Sequence, residues 1–89
     1  MKAVITVVGK DTVGILAKVS GECANYNVNV IEVSQTIMQE MFCMTMIVDI
    51  SNVSIPFVKF TDEMSTLGEK IGMSIRVMHE DIFNSMHRI

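Results

Sequence analysis

One short segment of the chain, Gly9 to Leu16, joins a strand-like sequence to a helix-like one and could bind a small anion. Its sequence is Gly-Lys-Asp-Thr-Val-Gly-Ile-Leu. The preceding residues are mostly β-branched, whereas the apolar residues that follow recur at helical spacing, namely Ile15, Leu16, Val19, Cys23 and Tyr26. A glycine-flanked turn that ends at a helix start directs backbone N–H groups and the positive end of the helix dipole to one place. We therefore predict a small-molecule site that accepts an anionic group such as a carboxylate.

The same segment lacks the residues that three other kinds of site require. Gly9 and Gly14 have the glycine spacing of a phosphate loop, but Ile15 and Leu16 stand where that loop needs Lys followed by Ser or Thr. An acylphosphatase-like enzyme would need an arginine, and Lys10 is the only base of the segment. A copper carrier with a Met-x-Cys-x-x-Cys loop is excluded because this loop has no cysteine. Since no nucleophile, base and orienting group can be assembled, we expect neither catalysis nor a cofactor.

The remaining residues with metal or redox chemistry are scattered along the chain. Cys23 and Cys43 have neither Cys-x-x-Cys spacing nor a histidine cluster nearby. Each lies in an apolar pattern, so we expect two reduced core residues rather than a disulfide or a zinc site. His79 and His87 have no partners to complete a metal site, and Arg76 fits a solvated surface charge. The sequence predicts no metal centre.

Length and composition indicate one small, unusually apolar domain over residues 1–89. A chain of this size buries only about 60 to 65% of its unfolded surface, so a partner subunit would help to stabilise it. Hydrophobic residues make up 49% of the chain, yet no uncharged apolar run approaches the roughly 20 residues that span a membrane. The net charge of −3, without a basic stripe, argues against direct nucleic-acid binding. Since we find no signal-peptide pattern, we expect a cytoplasmic location.

Hydrophobic periodicity predicts the element order β, α, β, β, α, β and then a short helix. The predicted strands cover about residues 2–8, 28–38, 41–50 and 73–80. The first helix begins after a cap at Asp11 or Thr12 and ends near Tyr26. The second is capped near Ser54, has Pro56 in its first turn and ends at Gly72, and the third runs from a cap at Asp81 to Ile89. Gln39 and Glu40 link the second and third strands as a hairpin whose turn type stays open.

Two helical crossovers joined by a hairpin define the α+β ferredoxin-like plan, in which a four-stranded antiparallel sheet has both helices on one face. Alternation in the second strand predicts one buried face, formed by Ile31, Val33 and Ile37. The third strand is apolar on both faces, so we expect something to cover its second face. The other side of the sheet is open unless a partner or the last helix covers it, and we expect methionines to contribute to it: Met38, Met44, Met46 and Met78.

Several motifs of the chain, in their order along the sequence, resemble those of a known family. The strand Val-Ile-Thr-Val-Val-Gly, the segment Lys-Asp-Thr-Val-Gly-Ile-Leu, the helix and the strand Asn-Val-Asn-Val-Ile-Glu-Val-Ser-Gln-Thr together resemble an ACT domain, in particular the small stand-alone ACT proteins of the UPF0237 family. The resemblance implies a regulatory module that binds an amino acid or a similar metabolite between two copies of the chain. It also implies that the regulated enzyme or transcription process is separate, since no such domain is attached here.

The resemblance also implies which residues contact the ligand. The loop residues would be Asp11, Thr12, Val13, Gly14 and Ile15, with Gly14 allowing close approach to the backbone. The second strand would contribute Asn29, Val30 and Ile31 from the neighbouring subunit, and the Asn29 amide could serve both a carboxylate and an ammonium group.

Simpler interpretations stay open for three of these residues, and one alternative stays open for the function. Gly14 could merely ease the turn, Asp11 could be only a helix cap, and Asn29 could be only turn chemistry. The alternative function is an interaction module without a ligand, which docks another protein through its methionine-rich sheet face.

Overall fold

Four strands and three helices make up the fold in the computed structural model, which describes residues 1–86. The elements are β1 (Lys2–Lys10), α1 (Ile15–Asn25), β2 (Asn29–Met38), β3 (Met41–Asp49), α2 (Phe57–Ile71), β4 (Met73–His79) and α3 (Glu80–Met86). The predicted element order is confirmed. The predicted continuation of the last helix to Ile89 lies outside the described residues.

The four strands form one antiparallel sheet with the order β2-β3-β1-β4. The strand β1 is central, since Val7 pairs with Met44 of β3 on one side and with Ile75 of β4 on the other. The β2–β3 hairpin has the predicted two-residue link, and its closing pair is Met38 with Met41. This arrangement confirms the ferredoxin-like α+β fold and leaves β2 and β4 as the two edges of the sheet.

The hydrophobic core lies between one face of the sheet and the helices α1 and α2. Its members come from alternate positions of β1, β3 and β4, from one side of each helix and from two residues next to strand ends: Ala3, Ile5, Val7, Ile15, Val19, Cys23, Val28, Phe42, Met44, Met46, Val48, Ile50, Phe60, Met64, Met73 and Ile75. At roughly 2 kcal/mol for each large apolar side chain removed from water, this layer is the main source of stability. Both helices thus pack on the same face of the sheet, and the opposite face lies outside this core.

The helices begin differently from the prediction. The first starts at Ile15 after Gly14, whose left-handed backbone has φ of 85° and which makes no side-chain cap, so Asp11 and Thr12 do not cap it. The second starts at Phe57 after Pro56, again without a side-chain cap, so Ser54 is not the cap. In both places the chain conformation before the helix, rather than a hydroxyl or carboxylate, sets the start. The predicted end of the second helix at Gly72, with φ of 73°, is confirmed.

The predicted buried face of β2 is wrong. Ile31, Val33 and Ile37 are all exposed, by 45, 39 and 59%. A register irregularity between Val30 and Glu32 places Ile31 in a bulge, which breaks the alternation on which the prediction relied. The edge position of β2 explains the rest, because the helix-side residues of the two inner strands β1 and β3 are buried, whereas those of β2 beyond Val30 are exposed.

The methionines divide between the two faces of the sheet. Met44 and Met46 are fully buried in the core, so their predicted place on the open face is wrong. Register places Met41, Cys43 and Ile47 on that outer face, where α3 contacts β1 and β4 and leaves the hairpin end of β2 and β3 uncovered. The second side of β3 is thus covered only in part, and the exposed methionines of the outer face concentrate at the hairpin.

The last helix follows β4 without a loop. Glu80, not the predicted cap Asp81, is its first residue. The amide of Asp81 donates to Nδ1 of His79 over 3.3 Å, which orders the change from strand to helix. Within residues 1–86, none of the helices is long and apolar enough to cross a membrane.

Candidate functional site

A surface cleft of about 440 Å³ lies where β1 passes into α1. Its lining comes from the loop, the first turn of α1 and the neighbouring strands: Asp11, Thr12, Gly14, Ile15, Leu16, Ala17, Gln35, Ile37 and Phe42. Four of the predicted ligand residues, Asp11, Thr12, Gly14 and Ile15, therefore lie at one cavity. Val13 belongs to the same loop but does not line it, and its side chain is 93% exposed.

The start of α1 supplies the electrostatic character of the cleft. The carbonyl of Gly14 accepts the first helical hydrogen bond from the amide of Lys18 at 3.1 Å, while no side chain caps the helix. The first turn contains no acidic residue. Amides at a helix start that lack an intrahelical partner carry a partial positive charge, so they are suited to a carboxylate. Asp11 lines the same cleft, and a carboxylate is suited to a positively charged group.

The loop is attached to the tip of the β2–β3 hairpin. The amide of Asp11 donates to the carbonyl of Glu40 over 2.9 Å. This bond holds one wall of the cleft to the hairpin whose strands form the other wall. Gly14 is likewise held by its backbone rather than by packing, because a Cβ added there would meet only the Cε of Lys18 at 4.0 Å.

Sequence reasoning missed the wall of the cleft that β2 and β3 provide. Gln35 and Ile37 of β2 pair with Met44 and Phe42 of β3, so they lie on the same side of the sheet as the helices. Gln35 offers an amide that both donates and accepts, and Ile37 and Phe42 offer apolar surface. The alternation of Val33, Gln35 and Ile37 could have predicted this wall, because these three residues lie on the same face of the sheet as the core residues of β3.

The structure does not bring Asn29, Val30 and Ile31 to this cleft within one copy of the chain. Asn29 pairs with Asp49 at the far end of β2, and Val30 packs against the core. Seven residues of strand separate Val30 from Ile37, which is roughly 23 Å. Hydrogen bonds from the hydroxyl and amide of Ser51 hold the pKa of the Asp49 carboxyl below its ordinary value, and the N-terminal ammonium group lies 3.7 Å from Oδ1 of this carboxylate.

The fold and the cleft together define an ACT-type domain. A family model for the ACT domain matches residues 2–78. The solved structure of an ACT domain protein from Streptococcus pneumoniae superposes with a TM-score of 0.82 and 38% identity, over 93% of each chain. A formyltetrahydrofolate deformylase from Pseudomonas syringae contains the same fold, with a TM-score of 0.78 and 23% identity over 88% of this chain and 27% of that one. The ACT domain is typically a regulatory, small-molecule-binding module.

A full-length relative defines the family more narrowly. A UPF0237 protein of Clostridium acetobutylicum is 49% identical over 89 residues, which is all of both chains. The chain belongs to the UPF0237 family of ACT domain proteins, which confirms the resemblance seen in the sequence.

Proposed function

We propose that the chain is a cytoplasmic regulatory module that binds an amino acid, or a similar metabolite, in the cleft at the start of α1. One observation carries the proposal: the uncapped first turn of α1 and the acidic residue Asp11 line the same cavity. An amino acid carries a carboxylate for the helix amides and an ammonium group for Asp11. The ligand's side chain would lie against Ile37 and Phe42.

We further propose that two copies of the chain complete the site. The strand β2 is an edge of the sheet, and its helix-side residues Val33 and Ile37 are exposed, as is Val13 on the loop. Unpaired strand edges with exposed apolar side chains are unfavourable in water and pair readily with a second edge. Antiparallel pairing of two β2 strands about a two-fold axis at Val33 would bring Val30 of the second copy opposite the segment from Gln35 to Ile37.

In this antiparallel dimer, the end of β2 that lies far from the cleft of its own chain would lie close to the cleft of the partner. Asn29 to Ile31 of one copy would close the cleft of the other, and the Asn29 amide would then lie near the ligand. The function is binding rather than catalysis, and its effect is exerted on a separate enzyme or transcription process.

The test is thermal unfolding of the purified chain with each common amino acid at millimolar concentration. A ligand at one hundred times its dissociation constant stabilises the folded state by about 2.7 kcal/mol. We expect one chemical group of amino acids to raise the melting temperature. Flat curves for all of them would contradict the proposal.

A matched pair of glycine variants locates the site. Gly14 and Gly72 both have positive φ, and at Gly72 an added Cβ meets nothing within 4 Å. Asparagine tolerates this conformation better than other non-glycine residues, so Gly14→Asn and Gly72→Asn should cost similar amounts of stability. Only Gly14→Asn should abolish the ligand-induced shift, because only Gly14 lies at the cleft. Loss of the shift in both variants would place the ligand elsewhere.

A further inference from the structure

Three sulfur-containing residues line one cavity at the hairpin end of the outer sheet face. Met38, Met41 and Cys43, together with Gln39, line a cavity of about 610 Å³. Met38 pairs directly with Met41 across the hairpin, and Cys43 follows two residues later on the same face of β3. This cavity is separate from the cleft at the start of α1, which lies on the helix side of the sheet.

Packing does not account for these side chains. Met38 and Met41 are 64 and 47% exposed, whereas Met44 and Met46 on the opposite face of β3 are buried. Thioethers are soft, polarisable donors as well as apolar groups, so two exposed methionines beside a cysteine form a set of potential ligands.

The backbone holds the three residues in place. Gln39 and Glu40 both have positive φ, at 50° and 69°, the signature of a tight two-residue hairpin turn that keeps Met38 opposite Met41. The tip is fixed further by the hydrogen bond from the Asp11 amide to the Glu40 carbonyl. Directly opposed Cβ atoms of an antiparallel pair lie roughly 5 Å apart. Two flexible thioether side chains can meet at one ion over that separation.

We propose that Met38, Met41 and Cys43 bind one soft monovalent cation of the Cu(I) class. Thioether and thiolate ligands select such ions, whereas Mg²⁺, Ca²⁺ and Mn²⁺ prefer oxygen ligands that this cavity does not supply as carboxylates. Within residues 1–86, no group of three His, Cys, Asp or Glu side chains could hold a metal ion. Binding releases the Cys43 thiol proton to water and changes no oxidation state, so affinity rises with pH.

The other cysteine does not compete for the ion. Cys23 is fully buried between α1 and the sheet, and burial raises the pKa of its thiol to about 11. A protonated, inaccessible thiol neither reacts nor ligates.

The experiment is an anaerobic titration of the reduced full-length chain with Cu(I), in competition with a chromophoric Cu(I) chelator. We expect one ion per chain and an X-ray absorption spectrum with sulfur ligands only. Met38→Leu and Met41→Leu, which keep the side-chain volume, should each weaken binding at least tenfold, and Cys43→Ala should weaken it more. Circular dichroism checks that each variant is folded.

Two variants serve as matched controls. Met44→Leu changes a methionine of the same strand on the core side, and Cys23→Ala removes the buried thiol; neither should alter the affinity for Cu(I). Equal Cu(I) affinity in the wild type and in both outer methionine variants would overturn the proposal, because it would show that the Cys43 thiol binds the ion without the methionines. One ion held between the Cys43 residues of two chains would overturn it as well. These readouts need no amino acid, so they are independent of the ligand test above.

Discussion

Gly68 shows at the scale of one residue how closely α2 packs on β4. A Cβ added at Gly68 would lie 2.6 Å from the backbone oxygen of Met73 and 3.1 Å from Cγ1 of Ile75. The carbonyl belongs to a strand backbone and cannot move aside cheaply. The glycine is therefore needed for close approach, although φ there is ordinary for a helix.

We predict that Gly68→Ala destabilises the chain by about 1 to 3 kcal/mol, the usual cost of overpacking. Gly21 of α1 is the matched control, because an added Cβ there meets nothing within 4 Å. Gly21→Ala should stabilise the chain by about 0.5 to 1 kcal/mol through helix propensity alone. Urea unfolding midpoints measure both effects, and a stabilising Gly68→Ala would contradict the packing argument.

The residues expected to form the site lie together where their proximity depends on local chain geometry. Asp11, Thr12, Gly14 and Ile15 meet at one cleft because they are adjacent in the sequence and a strand-to-helix turn must place them together. Gln35 was missed because its place at the cleft depends on pairing with Met44 on another strand. Such a contact depends on which residues of two neighbouring strands pair with each other, and the alternating pattern of one strand does not specify that pairing.

At the scale of elements, the hairpin turn is the one connection in residues 1–86 where two consecutive non-glycine residues have positive φ. Gln39 and Glu40 both adopt positive φ, where a residue other than glycine costs roughly 1 to 2 kcal/mol. The sequence lacked the Asn-Gly signal of such a turn, so its type could not be predicted although its position could.

We predict that replacing Gln39-Glu40 by Asn-Gly stabilises the chain by about 1 kcal/mol, because this pair is favoured in tight hairpin turns. For a domain of this size, that gain should raise the melting temperature by about 4 to 8 °C. The backbone carbonyl at position 40 remains, so the hydrogen bond from Asp11 is kept. A lower melting temperature would show that the Gln39 or Glu40 side chain stabilises the turn.

The boundaries of the elements show where sequence patterns stop being informative. The two crossover helices and four strands follow from hydrophobic period, because period reflects which side of an element is buried. The caps at Asp11, Thr12 and Ser54 were wrong, since a polar residue near a helix start caps it only when its backbone allows the side chain to reach back. The burial of β2 was wrong because an apolar row does not reveal that its strand lies at an edge of the sheet.

At the scale of the whole molecule, the exposed apolar residues of β2 and of the loop before α1 predict self-association. Light scattering at micromolar concentration should give twice the chain mass of 9.9 kDa. Val33→Lys should give a monomer, because the proposed two-fold axis would place two lysines together in the middle of the strand pair. Val58→Lys on α2, which replaces a valine that is 72% exposed, is the control and should leave the dimer intact. A monomeric wild type would contradict the prediction.

The central position of β1 has a consequence for how the chain is made. The first strand has one edge on β3, but its other edge stays unpaired until β4, whose last residue is His79, has been synthesised. Contacts between residues this far apart in sequence slow folding, because the loop between them must close first. On the ribosome, the emerging chain would therefore expose an apolar hydrogen-bonding edge of β1 through most of its translation. This is the stage at which a chaperone, or a second nascent chain, would meet it.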